Sequence, residues 1–148
     1  MSTVTRTFTV SPPPQVVVDY LKDFEHAEQW DPGTRRCERI DTGPVVEGAF
    51  WHNVSKILGV TAELTYKLEE LTPSRVVFVG ENQSSRTIDT ITVDARGSGS
   101  VVTFEGDLEM HGSARILTPL VKLALEKRVG GTEKRMASVL NRLATTPG

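Results

Sequence analysis

The clearest alternation along the chain is VTAELTYKLEEL. Val60, Ala62, Leu64, Tyr66 and Leu68 fall on one face, and Thr61, Glu63, Thr65, Lys67 and Glu69 on the other. VTFEGDLEM repeats the pattern, with Val102, Phe104, Gly106, Leu108 and Met110 set against Thr103, Glu105, Asp107 and Glu109. A period of two predicts strands with one covered and one wet face, as in antiparallel sheets. Thr3 to Val10 reads as a first strand, and segments near 35–42, 47–57, 60–71, 75–83, 86–96 and 100–110 as later ones. Gly43-Pro44, Leu58-Gly59, Thr72-Pro73-Ser74, a polar stretch over 82–85 and Gly97-Ser98-Gly99 separate them, so a meander of hairpins is expected.

Two regions carry the helical period instead. Ser11-Pro12 predicts a helix start, because serine caps and proline suits the first turn. Val17, Tyr20, Leu21 and Phe24 then form one apolar face, and a second short helix is expected over His26 to Trp30, ended by Asp31-Pro32-Gly33. Thr118-Pro119 predicts a long helix running to about Ala144, or roughly 40 Å at 1.5 Å per residue. Its apolar stripe is Leu120, Val121, Ala124, Leu125, Val129, Met136, Val139, Leu140 and Leu143. Gly130 and Gly131 fall inside it, each at about 1 kcal/mol relative to alanine. The stripe resumes in phase after them, so they do not end the helix. A face without side chains either lets the helix approach the strands or bend over them, or leaves room for a ligand. Residues 144–148 read as a frayed tail.

Composition narrows the function classes. At 148 residues one domain spanning 1–148 is expected. Seventeen basic and nineteen acidic side chains leave a net charge of −2, with no basic excess to suggest nucleic acid or an anionic membrane surface. No run approaches the eighteen or so apolar residues of a membrane span, and the alternating N-terminus is no signal peptide, so no integral membrane association and a cytoplasmic location are expected. Cys37 is the sole cysteine and reads as a buried structural thiol. The three histidines show no HxH, HxxxH or HExxH spacing, so no metal and no cofactor are predicted. There is no GxSxG, and Gly130-Gly131-Thr132-Glu133-Lys134 lacks the frame of a phosphate loop.

The order of strand, two short helices, about six antiparallel strands and one long C-terminal helix resembles the helix-grip fold of the START/Bet v 1-like (SRPBCC) superfamily. Within it the chain is most similar to the bacterial polyketide cyclase/dehydrase and lipid-transport group. SPPPQVVVDYLKDFEHAEQWDP, GAFWHNVSKILGVTAELTYKLEELTPSRVVFVG and GSVVTFEGDLEM carry the resemblance, which covers Thr3 to Leu143. It implies an α+β fold, a curved six- to seven-stranded antiparallel sheet wrapped around the long helix. It also implies a cavity between the two, open near the short helices. The fold hosts binders, carriers and enzymes alike.

The expected occupant is a small hydrophobic molecule, lipid or polyketide-like, bound by a monomer or homodimer. Wall candidates are Leu64, Tyr66, Phe78, Ile91, Phe104, Leu108, Met110, Leu117, Val121, Leu125 and Val129, with Trp30 as a gate at the mouth. Whether the protein is an enzyme stays open. A cyclase/aromatase or dehydratase needs an acid/base pair, for which Asp89 and His52 are the candidates. Asp89 shares its parity with Ile91 and Val93, which points it inward, where burial raises a carboxyl, unless the strand end is splayed and Asp89 is wet or pairs with Arg86 or Arg75. The side taken by His52 depends on the Leu58-Gly59 turn. A two-residue loop turns Trp51, Asn53 and Ser55 inward, and a three-residue loop turns Phe50, His52 and Val54 inward.

Overall fold

The structure is a computed structural model that describes residues 2–57 and 59–143, without the side chain of Ile57. The expected frayed tail and the expected helix end at Ala144 lie outside the described residues. The elements in chain order are β1 (Ser2–Val10), α1 (Pro14–Leu21), a 3₁₀ turn (Phe24–His26), α2 (Ala27–Trp30), β2 (Thr34–Arg39) and β3 (Phe50–Ile57). There follow β4 (Val60–Thr72), β5 (Arg75–Glu81), β6 (Ser85–Arg96), β7 (Gly99–Met110), a second 3₁₀ segment (Gly112–Leu117) and α3 (Thr118–Leu140). The seven strands form one curved antiparallel sheet in the order β1-β7-β6-β5-β4-β3-β2. From β2 to β7 each strand pairs with the next, and β1 pairs with β7, which leaves β1 and β2 at opposite edges. α3 lies against β1, β7 and α2, which completes the helix grip.

Register follows from the alternation. Ile57 faces Val60 across a two-residue turn in which Gly59 has φ 77°, so Trp51, Asn53 and Ser55 are buried. His52 therefore points outward. Two expected helix starts are corrected. Pro13 is the N-cap of α1, and Ser11 instead donates from its backbone N and its hydroxyl to Asn141 Oδ1, at 2.8 and 3.0 Å. Thr118 is the first residue of α3 rather than its cap, and its hydroxyl donates to the Arg115 carbonyl at 2.6 Å.

Gly130 and Gly131 do lie within α3, but not where the helix meets strands. A Cβ on Gly131 would come 3.0 Å from Pro32 Cγ, in the turn after α2, and one on Gly130 would meet nothing within 4 Å. The close approach of helix to sheet is at Gly106 in β7, where a Cβ would lie 3.1 Å from Val129 Cγ2. The core is aromatic. Phe24 sits with its ring centroid 4.2 Å from Tyr66, 4.5 Å from Phe78, 5.8 Å from Trp30 and 6.2 Å from Trp51. Cys37 is buried, and burial above all pushes its thiol up to about 12, which leaves it unreactive at neutral pH.

Candidate functional site

Asp31 terminates α2 and is fully buried. Arg128, on α3, donates to it with both arms of its fork, Nε to Oδ1 at 2.9 Å and Nη2 to Oδ2 at 2.7 Å. The Gly33 N–H adds a bond to Oδ1 at 3.0 Å and the Thr34 hydroxyl one to Oδ2 at 2.8 Å. Asn53 Nδ2 donates to Thr34 Oγ1 at 3.0 Å, and Ser55 Oγ to Asn53 Oδ1 at 2.5 Å. One buried polar chain thus links β3, the start of β2, the turn after α2 and the middle of α3. Burial alone would raise the Asp31 carboxyl. The charge of Arg128 and the hydrogen bonds from Arg128, Gly33 and Thr34 outweigh it and hold the carboxyl below its ordinary value. Burial opposes the charge on Arg128 too, and Asp31 above all keeps the guanidinium protonated.

Asp89 lies behind this pair. It points inward from β6, opposite Phe78 and Gly106, and is 1% exposed. Its Oδ2 is 4.0 Å from Arg128 Nη2, and neither oxygen has a hydrogen-bond partner among the described residues. Thr87 Oγ1 and Trp30 Nε1 are buried and unpartnered in the same way. Burial raises the Asp89 carboxyl to about 6; Arg128 limits the rise, while Asp31 and Asp107 add to it. Burial, with Asp89 second, holds the Tyr66 phenol protonated far above its ordinary range.

A cavity of about 550 Å³ opens between the turn after α2, the β3–β4 hairpin, β7 and α3. Pro32, Leu108, Val121, Ala124, Leu125 and Gly131 form its apolar walls. Arg128 lines it as well, so the same side chain borders the cavity and anchors the buried chain.

Of the residues expected from sequence, Leu108, Val121 and Leu125 line this cavity. Leu64, Tyr66, Phe78, Ile91 and Phe104 face inward as expected but are packed into the core, as is Val129 under α3. Four placements differ from the expected ones. Trp30 is wholly buried and edge-on to Phe24 and Phe104, because α2 turns its last residue into the core rather than toward the mouth. Leu117 is 43% exposed on the 3₁₀ segment, and Met110 sits half-buried at the end of β7. His52 stands on the outer face of the sheet with Nε2 3.0 Å from Glu63 Oε1, the opposite side from Asp89. The acid/base pair Asp89–His52 is therefore not assembled.

Asp31 and Arg128, the centre of the polar chain, were not among the sequence candidates. They are 97 positions apart, and no local spacing joins them. The available signal was Arg128 itself, a charge on a helical face it shares with Val121, Leu125 and Thr132. Among the described residues no group of three or more His, Cys, Asp or Glu is placed to hold a metal, and no helix is long and apolar enough to cross a membrane.

A family profile described as polyketide cyclase / dehydrase and lipid transport matches residues 1–146. No curated protein sequence matches significantly. Among solved structures, a START superfamily protein from Mycobacterium smegmatis superposes with a TM-score of 0.79 at 13% identity, covering 97% of this chain and 100% of that one. A protein from Thermus thermophilus gives 0.77 at 17% identity, over 93% and 96% of the two chains. The Zhui aromatase/cyclase from Streptomyces sp. R1128 gives 0.75 at 14% identity, over 95% and 93%. At these identities the likeness establishes the shared fold.

Proposed function

Because the chain belongs to the polyketide cyclase/dehydrase and lipid transport family, we propose that it binds or carries a small hydrophobic molecule in the cavity beneath α3. The observation that carries this reading is the cavity of about 550 Å³ walled by Pro32, Leu108, Val121, Ala124 and Leu125. That volume falls within the ~300–1,000 Å³ of ligand pockets. Burial of an apolar body there would contribute about 25 cal/mol per Å² removed from water. The test is native mass spectrometry for a co-purified molecule, together with displacement of an environment-sensitive dye. Ala124→Trp, which fills the cavity from its helical wall, should abolish dye uptake while thermal unfolding stays cooperative. Undiminished uptake in that variant would place the ligand elsewhere and end this reading.

A second reading is catalytic, a cyclase or dehydratase. The observation favouring it is Asp89, a buried carboxyl with no hydrogen-bond partner among the described residues and a pKa raised to about 6, in the range suited to proton transfer near neutrality. In that reading Asp89→Asn removes turnover of a polyketide-type substrate but leaves its binding intact. A carrier shows no turnover with either residue at this position and keeps its binding. His52 has no part in either reading.

A further inference from the structure

The chain as a whole carries a net charge of −2, yet charge of only one sign borders its cavity. Arg35 on β2, Lys56 on β3, and Lys127, Arg128 and Arg135 on α3 all line it, and no Asp or Glu does among the described residues. Arg128 is neutralised by Asp31. The other four enter no ion pair among the described residues, as is also true of Arg96, Arg115, Lys122, Lys134 and Arg142; what sets the four apart is that they share one cavity that no carboxylate lines. Arg36, one residue after Arg35, pairs with Glu38 at 3.2 Å, and Glu133 on α3 turns away from the cavity toward Arg6 at 3.8 Å. Arg35 is held beside the cavity by a bond from Nη1 to the Pro32 carbonyl at 3.2 Å. On α3, Ala124, Arg128, Gly131 and Arg135 recur at helical spacing, so the stripe facing the cavity alternates small and cationic residues.

Four unpaired cations gathered around one opening repel one another, and folding alone gives no reason to collect them there. Set on the lip of an apolar concavity, they focus a positive potential at its mouth. From this charge pattern we infer that the ligand is an amphipathic anion: an apolar body that fills the cavity and a terminal carboxylate or phosphate at the mouth, held by Arg35, Lys56, Lys127 and Arg135. Arginine suits both head groups, because its planar fork matches two oxygens of either. This inference rests on the reading that the cavity takes a hydrophobic molecule, and it adds the chemistry of the ligand's polar end.

Three probes of one chain length separate the cases: decanoate, decyl phosphate and decanol, each competing with a neutral environment-sensitive dye. Both anions, or one of them, should displace the dye with at least about tenfold higher affinity than decanol at low salt. The preference should shrink between about 0.01 M and 1 M salt, as the screening length falls from about 30 Å to about 3 Å. The anion that wins identifies the head group. The double variant Lys127→Glu/Arg135→Glu, both exposed positions, should lose the preference while retaining decanol affinity and thermal stability. Decanol binding as tightly as both anions would overturn the anionic assignment and leave the hydrophobic cavity standing. Failure of the dye and of all three probes to bind would overturn the cavity reading and this inference with it.

Discussion

Arg128 answers to two carboxylates, and the two differ in kind. Asp31 is fully satisfied by Arg128, Gly33 and Thr34, while Asp89 is buried with neither oxygen bonded. Arg128→Met leaves Asp31 buried and uncompensated, so a loss of about 3–5 kcal/mol is expected in urea unfolding. Arg128→Lys should recover only part of it, because an ammonium cannot span both oxygens in parallel. Equal stability of the methionine variant and the parent would show that the pair contributes nothing. Asp89 works in the opposite sense. Its carboxyl is raised from an ordinary 3.8 to about 6, so between those values the folded chain holds a proton that the unfolded chain has released. Its contribution favours folding below about pH 4 and is lost as pH rises through about 6, by of order 3 kcal/mol. Asp89→Asn should flatten that slope when stability is measured at several pH values across the window. An unchanged slope would assign it to other groups. Asp31, held low, acts only at more acid pH, where its contribution disappears as it protonates.

At the scale of elements, neighbouring glycines have different tasks. Gly130 faces open space, so Gly130→Ala should raise stability by up to about 1 kcal/mol through helix propensity. Gly131→Ala meets Pro32 Cγ at 3.0 Å and should gain clearly less or lose stability; identical gains at both positions would show that the Pro32 turn yields freely. In β5, Gly80 lies beneath the Tyr66 ring, and a Cβ there would come within 2.6 Å of it. Gly80→Ala should therefore cost about 1–3 kcal/mol and disturb the aromatic cluster, visible in near-ultraviolet circular dichroism. The alternation that predicted the strands was legible because the sheet has one wet and one covered face. The side taken by His52 was not, because it turned on one residue of loop length at Leu58-Gly59. Ser11 and Thr118 misled for a local reason. Both stand before proline near a helix start, yet one hydroxyl bonds across the molecule to Asn141 and the other back to Arg115.

For the whole molecule, element order was enough to place the sheet and the grip of α3, while strand parity pointed Asp89 inward without deciding against a wet or ion-paired carboxylate. It could not place the cavity. Most of the large inward residues close up around Phe24, and the open volume is left at one end, between Pro32, Leu108 and α3. Nor could net charge reveal the cationic lip, since acidic residues elsewhere cancel it. A ligand confined to that end should stabilise the fold by mass action, by about 2.7 kcal/mol at a hundredfold excess over its dissociation constant, and so raise the unfolding midpoint. The chain of Ser55, Asn53, Thr34, Asp31 and Arg128 also divides α3 mechanically. Beyond it the helix buries Val129, Thr132, Met136 and Leu140; before it only Val121 and Leu125 are buried, and Leu120 and Leu123 lie 57% and 65% exposed. Arg128, pinned to Asp31, would be the fulcrum of any partial opening of α3. An N-terminal arm that lifted to admit a guest would pivot there, with the C-terminal arm held against β1 through Glu133 and Arg6. Backbone amides of Leu120–Lys127 should accordingly exchange hydrogen well before those of Val129–Leu140. Uniform exchange along the helix would mean that α3 opens only as a whole.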